Sequence, residues 1–387
     1  MLPSSIADLP TPCLLIEQAK LRANIERLSS HIGVLGCKIR PHVKTHKSIE
    51  ITQEIEKGGN TQGITVSTLK EAQHFLSAGY TDILYAVGIV PNKFMQAKEL
   101  MMEACDLKVI LDSPEAAHLL CEFAQTQQCH FKVLIELDVD QHRAGADPLG
   151  DTLLDIAKLL TAAPYCELMG VMTHAGGSYD CFDHASQLAL AQQERDLSVK
   201  AARRIRAIGI DCPMVSIGST PTAFAIDHLS GITEVRAGVY VLFDLVMAGL
   251  GVCRIDDIAI SVLGSIIGFQ QQKHIALTDA GWMAMSRDRG TSGQPIDQGY
   301  GVVCDARGVI LDELIMSSAN QEHGIISKRT PFDAQDISSH FPFEQFKIGG
   351  LVRILPNHAC STAAQFSHFY LVDGDAVIAS LPSISGW

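Results

Sequence analysis

The chain has 387 residues, 47% hydrophobic and 19% charged, enough apolar material for more than one core, so two domains are expected. Its net charge of −13 argues against a broad footprint for nucleic acid or anionic lipid, although not against a small anion site. No apolar run approaches the roughly 20 residues of a membrane helix.

The opening "MLPSSIADLP" (1–10) lacks the basic start and apolar run of a secretion signal. The eleven cysteines, from Cys13 to Cys360, form no CxxC pair, as expected of reduced, mostly buried thiols in a cytoplasmic protein.

From residue 37 to about 240, short apolar or β-branched runs alternate with helix-length segments. The strand candidates are "CKIRPHVK" (37–44), "GITVS" (63–67), "DILYAVG" (82–88) and "LKVILD" (107–112). They continue with "FKVLIELDV" (131–139), "LMGVMTH" (168–174), "MVSIG" (214–218) and "TEVRAG" (233–238). Runs of this kind read as strands buried on both faces. One helix, 113–128, opens on a Ser113 cap. Eight strands with helical crossovers are the number that closes a (β/α)8 TIM-like barrel, with an open doubly wound sheet as the competitor.

After residue 250 the strand-like stretches are joined by turns rich in Gly, Asp and Asn, and "DARG" and "VDGD" predict hairpins. The expected architecture is therefore α/β: a barrel over 16–250 and a mainly antiparallel β domain over 251–387. Residues 1–15 are expected to join the β domain.

Barrel enzymes carry their chemistry on the loops after the C-terminal ends of the strands. The first strand reads to Lys44, inside "RPHVKTHK", which packs five basic or imidazole side chains into eight residues. The fifth runs into Arg143, and the sixth delivers His174 and Tyr179. The seventh and eighth lead to Gly218-Ser219-Thr220 and Gly238-Val239, whose hydroxyls and free N–H groups suit a phosphate. A plain helix cap is the alternative for "GST". In "LPNHACST", read as a strand, His358 and Cys360 at i and i+2 share a face. The two could hold one Zn²⁺ or be an ordinary core pair.

"RPHVKTHK", "DQHRAG", "HAGGSY", "IGST", "VRAGVY", "DAGW" and "NHAC", in this order over about residues 9–365, together resemble the D-threonine aldolase and D-serine dehydratase family. Its members are fold-type III pyridoxal-phosphate enzymes with a barrel akin to that of alanine racemase. The resemblance implies that Lys44 bonds the pyridoxal 5'-phosphate aldehyde and later moves the Cα proton, for which it must be neutral. Ser219, Thr220, Gly238 and Val239 would hold the phosphate. His174 and Tyr179 would line the cofactor, and Arg143 would lie on its 3-hydroxyl side. Arg236 would face the pyridine nitrogen, unless it serves a structural ion pair. Lys47 is expected to be solvated, and His42 and His46 to pack or to support the site.

The resemblance also makes His358 and Cys360 a pair of metal ligands. Dehydratases carry His-x-Cys at this place and aldolases His-x-Asp, and a thiolate favours zinc. A homodimer acting on a D-3-hydroxy amino acid by β-elimination is implied, with metal ligands near a cofactor across a domain interface. Retro-aldol cleavage is the runner-up and racemisation a more remote reading. The loop "DAGWMAMSRDRG" (279–290) is the candidate region for substrate binding.

Overall fold

The computed structural model describes residues 2–387. The chain forms two compact units, Met1–Ile25 with Val239–Ser385, and Glu26–Gly238 with Gly386–Trp387. The divisions fall at 25/26 and 238/239, so the turn after the last barrel strand clusters with the β unit.

In chain order, β1 (Cys13–Glu17) belongs to the first unit. The second unit contains β2 (Lys38–Pro41), β3 (Ile64–Val66), β4 (Asp82–Gly88) and β5 (Asp106–Leu111). It continues with β6 (Phe131–Leu137), β7 (Cys166–Thr173), β8 (Met214–Ile217) and β9 (Glu234–Ala237). Each of these pairs in parallel with its neighbours, and β9 pairs with β2. Parallel bridges Ile39–Thr61 and His42–Thr65 close the remaining gap between β2 and β3. That closure decides for the barrel over the open sheet.

Alternation along the strands separates two layers. Phe131, Val133, Ile135 and Leu137 of β6 belong to the large core that also takes in helix residues such as Ala117, Leu120, Leu153 and Ile205. Leu84, Ile110, Leu134 and Met172 form a separate apolar cluster, at the alternate positions of their strands. In the same alternation lie charged groups linked end to end. Lys132 and Lys108 each reach Asp106 at 2.8 Å, and Lys108 reaches Asp82 at 2.7 Å. Arg40 meets Asp82 at 2.9 Å and Glu234 at 2.8 Å. Burial alone would raise the Asp82 carboxyl, but Arg40 and Lys108 hold it below its ordinary value.

The other unit adds β10 (Ile260–Gln270), β11 (Ile275–Thr278), β12 (Gly301–Asp305) and β13 (Ile310–Ala319). It ends with β14 (Gly324–Lys328), β15 (Leu351–Pro356), β16 (His368–Asp373) and β17 (Ala376–Pro382). Strand β10 is long enough to pair with β1 and β15 in its first half and, after a bulge near Ile266, with β11 in its second. The sequence β10-β11-β14-β13-β12-β15 thereby returns to β10, while β1, β16 and β17 extend from it. All these pairings are antiparallel except β1 with β16. Both predicted hairpins form, with Gly308 (φ +84°) and Gly374 (φ +58°) in their turns, a backbone region that favours glycine.

Candidate active site

Strand β2 stops at Pro41, and Lys44 lies in the 3-10 turn Val43–Thr45, not on the strand as its sequence suggested. Nδ1 of His42, 3.5 Å from the Lys44 N–H, accepts at the start of that turn. The other basic groups of the segment have structural partners. Arg40 is consumed by the barrel ladder, and His46 accepts the Ser48 N–H at 3.1 Å. Lys47 is not solvated: its ammonium lies 3.3 Å from the buried Glu71, which also accepts the Ser67 N–H at 2.7 Å. Lys44 alone among the segment's cations is exposed and forms no ion pair with the described residues.

At the end of β7, the Nδ1–H of His174 donates to the Gly218 carbonyl at 3.1 Å. Burial, then the charge of Lys44, holds this imidazole down at about 3, against which the Gly218 bond works weakly. It is therefore neutral, with Nε2 left as an acceptor. The same influences, with those of Arg236 and His174, hold His42 well below its usual value. The Tyr179 ring lies 6.5 Å from that of His174. Arg143 is largely exposed beside Glu136 at 3.5 Å.

Arg236 is buried and donates to the Ser216 hydroxyl at 2.6 Å and to the Thr173 carbonyl. Ser216 in turn donates to Glu234 at 2.6 Å, so among the described residues Arg236 reaches acid through a hydroxyl and forms no direct ion pair, the alternative held open.

After β8, Ser219 caps the short helix Thr220–Ala225 in a capping box with Thr222, and its hydroxyl also meets that of Ser178 at 2.9 Å. The cap reading of "GST" is thus correct for Ser219. The Thr220 hydroxyl, on a residue only 2% exposed, has no partner among the described residues. Thr220 and Val239 each begin a helical turn, where N–H groups lack intrahelical acceptors. At Gly238 an added Cβ would lie 2.9 Å from the His42 carbonyl oxygen, so glycine there lets the backbone pack against the turn that carries Lys44. Within the barrel unit, Ser219, Thr220 and Gly238 fit a phosphate.

Glu194, fully buried on the helix His184–Ala207, was not legible as a site residue. One of its oxygens accepts the N–H groups of Ala175 at 3.2 Å and Gly218 at 3.0 Å, fixing the loops after β7 and β8 together. Burial pushes its carboxyl above the ordinary range.

In the β unit, His358 and Cys360 do not share a strand. Strand β15 ends at Pro356, His358 stands at the position before the helix Ala359–Ala363 without a side-chain capping bond, and Cys360 is the helix's second residue. Their side chains still meet, in a hydrogen bond. Buried Asp244 anchors the helix start by accepting the Ala359 N–H at 2.8 Å, and Asn357 donates to the Gly299 carbonyl at 2.7 Å. His358 Nδ1 lies 2.6 Å from Asp288. Burial opposes charging of this imidazole, but Asp288, Cys360 and Asp244 outweigh it and raise the pKa to about 11. The surroundings therefore favour positive charge here. One imidazole and one thiol, both partly exposed, are a donor set that a divalent metal fits. No group of three His, Cys, Asp or Glu converges as metal ligands among the described residues.

Residues 16–245 match the model of the alanine racemase N-terminal domain, and residues 259–372 match one described as "Putative serine dehydratase domain". The chain is 46% identical to a D-threo-3-hydroxyaspartate dehydratase of Delftia sp. (strain HT23) over 99% of both chains. A D-serine dehydratase of Dictyostelium discoideum is 31% identical over 96% of this chain and 95% of its own. A D-threonine aldolase of Arthrobacter sp. is 24% identical over 96% and 90%.

The solved structure of the Delftia dehydratase superposes with a TM-score of 0.95 over 100% of both chains at 44% identity. Two variants of that enzyme, a histidine-to-alanine and a cysteine-to-alanine one substituted two positions apart, superpose at 0.94, and the latter is in the metal-free form. With the first model spanning more than half its length and the Delftia enzyme nearly all of it, the chain belongs to the D-serine dehydratase and D-threonine aldolase family of fold-type III pyridoxal-phosphate enzymes.

Proposed function

We propose that the chain is a pyridoxal-phosphate- and metal-dependent dehydratase of D-3-hydroxy amino acids, yielding a 2-oxo acid and ammonia. D-threo-3-hydroxyaspartate, D-serine and D-threonine are the candidate substrates. The observation that carries the reading is Cys360 against His358, where an aldolase of this family would carry a carboxylate. The 46% identity to a dehydratase against 24% to an aldolase supports it.

Pyridoxal phosphate, when bound, supplies an electron sink for the charge left as Cα loses its proton. Lys44 would hold the cofactor and take that proton on Nζ; its exposure and lack of an acid partner leave the amine available. Thr220, Ser219 and the N–H groups at Gly238 and Val239 would bind the phosphate, and buried Arg236 would face the ring nitrogen. His174, neutral and oriented by the Gly218 carbonyl, would line the cofactor with Tyr179 and Arg143.

A divalent metal, for which a thiolate ligand favours zinc, would supply a Lewis acid for the departing β-hydroxyl. His358 and Cys360 would hold it. The substrate loses its Cα proton and β-hydroxide, and water then displaces ammonia.

Separate assay of 2-oxo acid, ammonia, glycine and aldehyde tests the reading. D-threonine should give 2-oxobutyrate, and chelation should abolish turnover while absorbance near 420 nm persists. Glycine and acetaldehyde, or full activity after chelation, would overturn it. Borohydride reduction should fix the cofactor to Lys44, and an adduct on Lys47 or Lys70 would refute that assignment. We further propose a cytoplasmic homodimer, from the resemblance to the family and the unpatterned cysteines; light scattering at micromolar concentration should give twice the 41.9 kDa of one chain.

A further inference from the structure

We propose that Asp288 is a positioning residue that fixes the imidazole of His358 so that Nε2 faces the metal. The inference rests on reading His358 and Cys360 as metal ligands. Asp288 lies 70 residues from His358 in sequence, yet its Oδ2 is 2.6 Å from His358 Nδ1. An acceptor at that distance makes Nδ1 the protonated nitrogen and leaves the Nε2 lone pair for a metal.

The carboxylate is itself held in place. Its main-chain N–H donates to the Ser286 hydroxyl at 2.9 Å, and its carbonyl accepts from Asn357 Nδ2 at 3.2 Å. Asn357 precedes His358 directly and is 2% exposed, so the aspartate and the histidine are tied to one rigid neighbour. Ser286 adopts φ +69°, a conformation uncommon for a residue with a side chain, at the turn that delivers Asp288.

The Ser361 hydroxyl nearby donates to the His358 carbonyl at 3.1 Å. The Asp288 carboxylate commits Oδ2 to the imidazole at 2.6 Å. Its role is therefore to orient a ligand and raise its basicity, with the charge of the carboxylate and its hydrogen bond contributing separately. Asparagine can keep the hydrogen bond without the charge, whereas alanine keeps neither.

Zinc affinity of the full-length Asp288→Asn and Asp288→Ala variants, measured by competition with a chromophoric chelator, separates these contributions. Affinity should fall by about 10-fold for Asn and towards about 100-fold for Ala. The ligand-field bands of the cobalt-loaded Asn variant should keep their positions. Asp288 is partly exposed and Asn nearly isosteric, so thermal unfolding should confirm an intact fold. Two variants binding zinc as tightly as the unaltered chain would overturn the proposal. Displaced cobalt bands would make Asp288 a ligand and overturn it also. An unaltered chain that takes up no zinc would remove the metal reading and this inference together.

Discussion

Three histidines near Lys44 are kept neutral by burial, and their protonation should show in stability. His46 is 1% exposed, accepts the Ser48 N–H, and is held down at about 3 by burial, as His174 is. The unfolded chain protonates such groups near 6.5. Between that value and 3 the unfolded state binds more protons, so these residues withdraw stability as pH falls, by up to about 1.4 kcal/mol per pH unit for each. Glu136, Glu194 and Asp244 are raised by burial and push the other way, so a comparison between chains is the sound measurement. His46→Asn can still accept the Ser48 N–H but does not titrate. Its urea midpoint should fall less steeply between pH 6.5 and 4.5 than that of the unaltered chain. Parallel curves would show that His46 does not carry this linkage.

At the scale of elements, the sharpest constraint lies where β8 gives way to the Ser219 cap. Gly218 has φ +132°, and a Cβ there would sit 2.2 Å from the Arg236 carbonyl oxygen in β9. Neither atom belongs to a side chain that can rotate away. Gly218→Ala should cost more than about 2 kcal/mol and reduce retained absorbance near 420 nm. Gly36→Ala (φ +73°, nothing within 4 Å) should cost about 1 kcal/mol, from backbone conformation alone. Equal denaturant midpoints for the two variants would contradict this account.

The barrel strands were legible because parallel strands buried on both faces are written as continuous apolar runs. Asp82–Gly88 matches its predicted bounds throughout. Less local features were not legible. The turn carrying Lys44 depends on Lys47 finding Glu71, and the loops after β7 and β8 depend on Glu194. No periodicity marks those acids, since their partners arrive only when the chain closes. The His-x-Cys motif pointed to the right neighbours for the wrong local reason, because a helix start, not a strand face, brings the two side chains together.

At the scale of the whole molecule, each unit has apolar clusters of its own. Val43, Phe75, Val109 and Ile135 belong to one in the barrel unit, and Leu15, Leu263 and Val372 to one in the β unit. The proposed cofactor residues Lys44, His174, Ser219, Thr220 and Arg236 fall in the first, and His358 and Cys360 in the second. A ligand that binds only the native state stabilises it by mass action, about 2.7 kcal/mol at a concentration 100 times its dissociation constant. Local opening of the segments that hold it then becomes correspondingly rarer. Hydrogen exchange read by peptide mass should separate the two ligands. Stripping pyridoxal phosphate should speed exchange over 174–179, 218–222 and 236–238. Chelation with the cofactor in place should act first on 286–291 and 357–363, where Asn357, Asp288 and the helix start are tied together by the hydrogen bonds already described. If chelation leaves 286–291 and 357–363 unchanged while 218–222 responds, the metal is not held by His358 and Cys360.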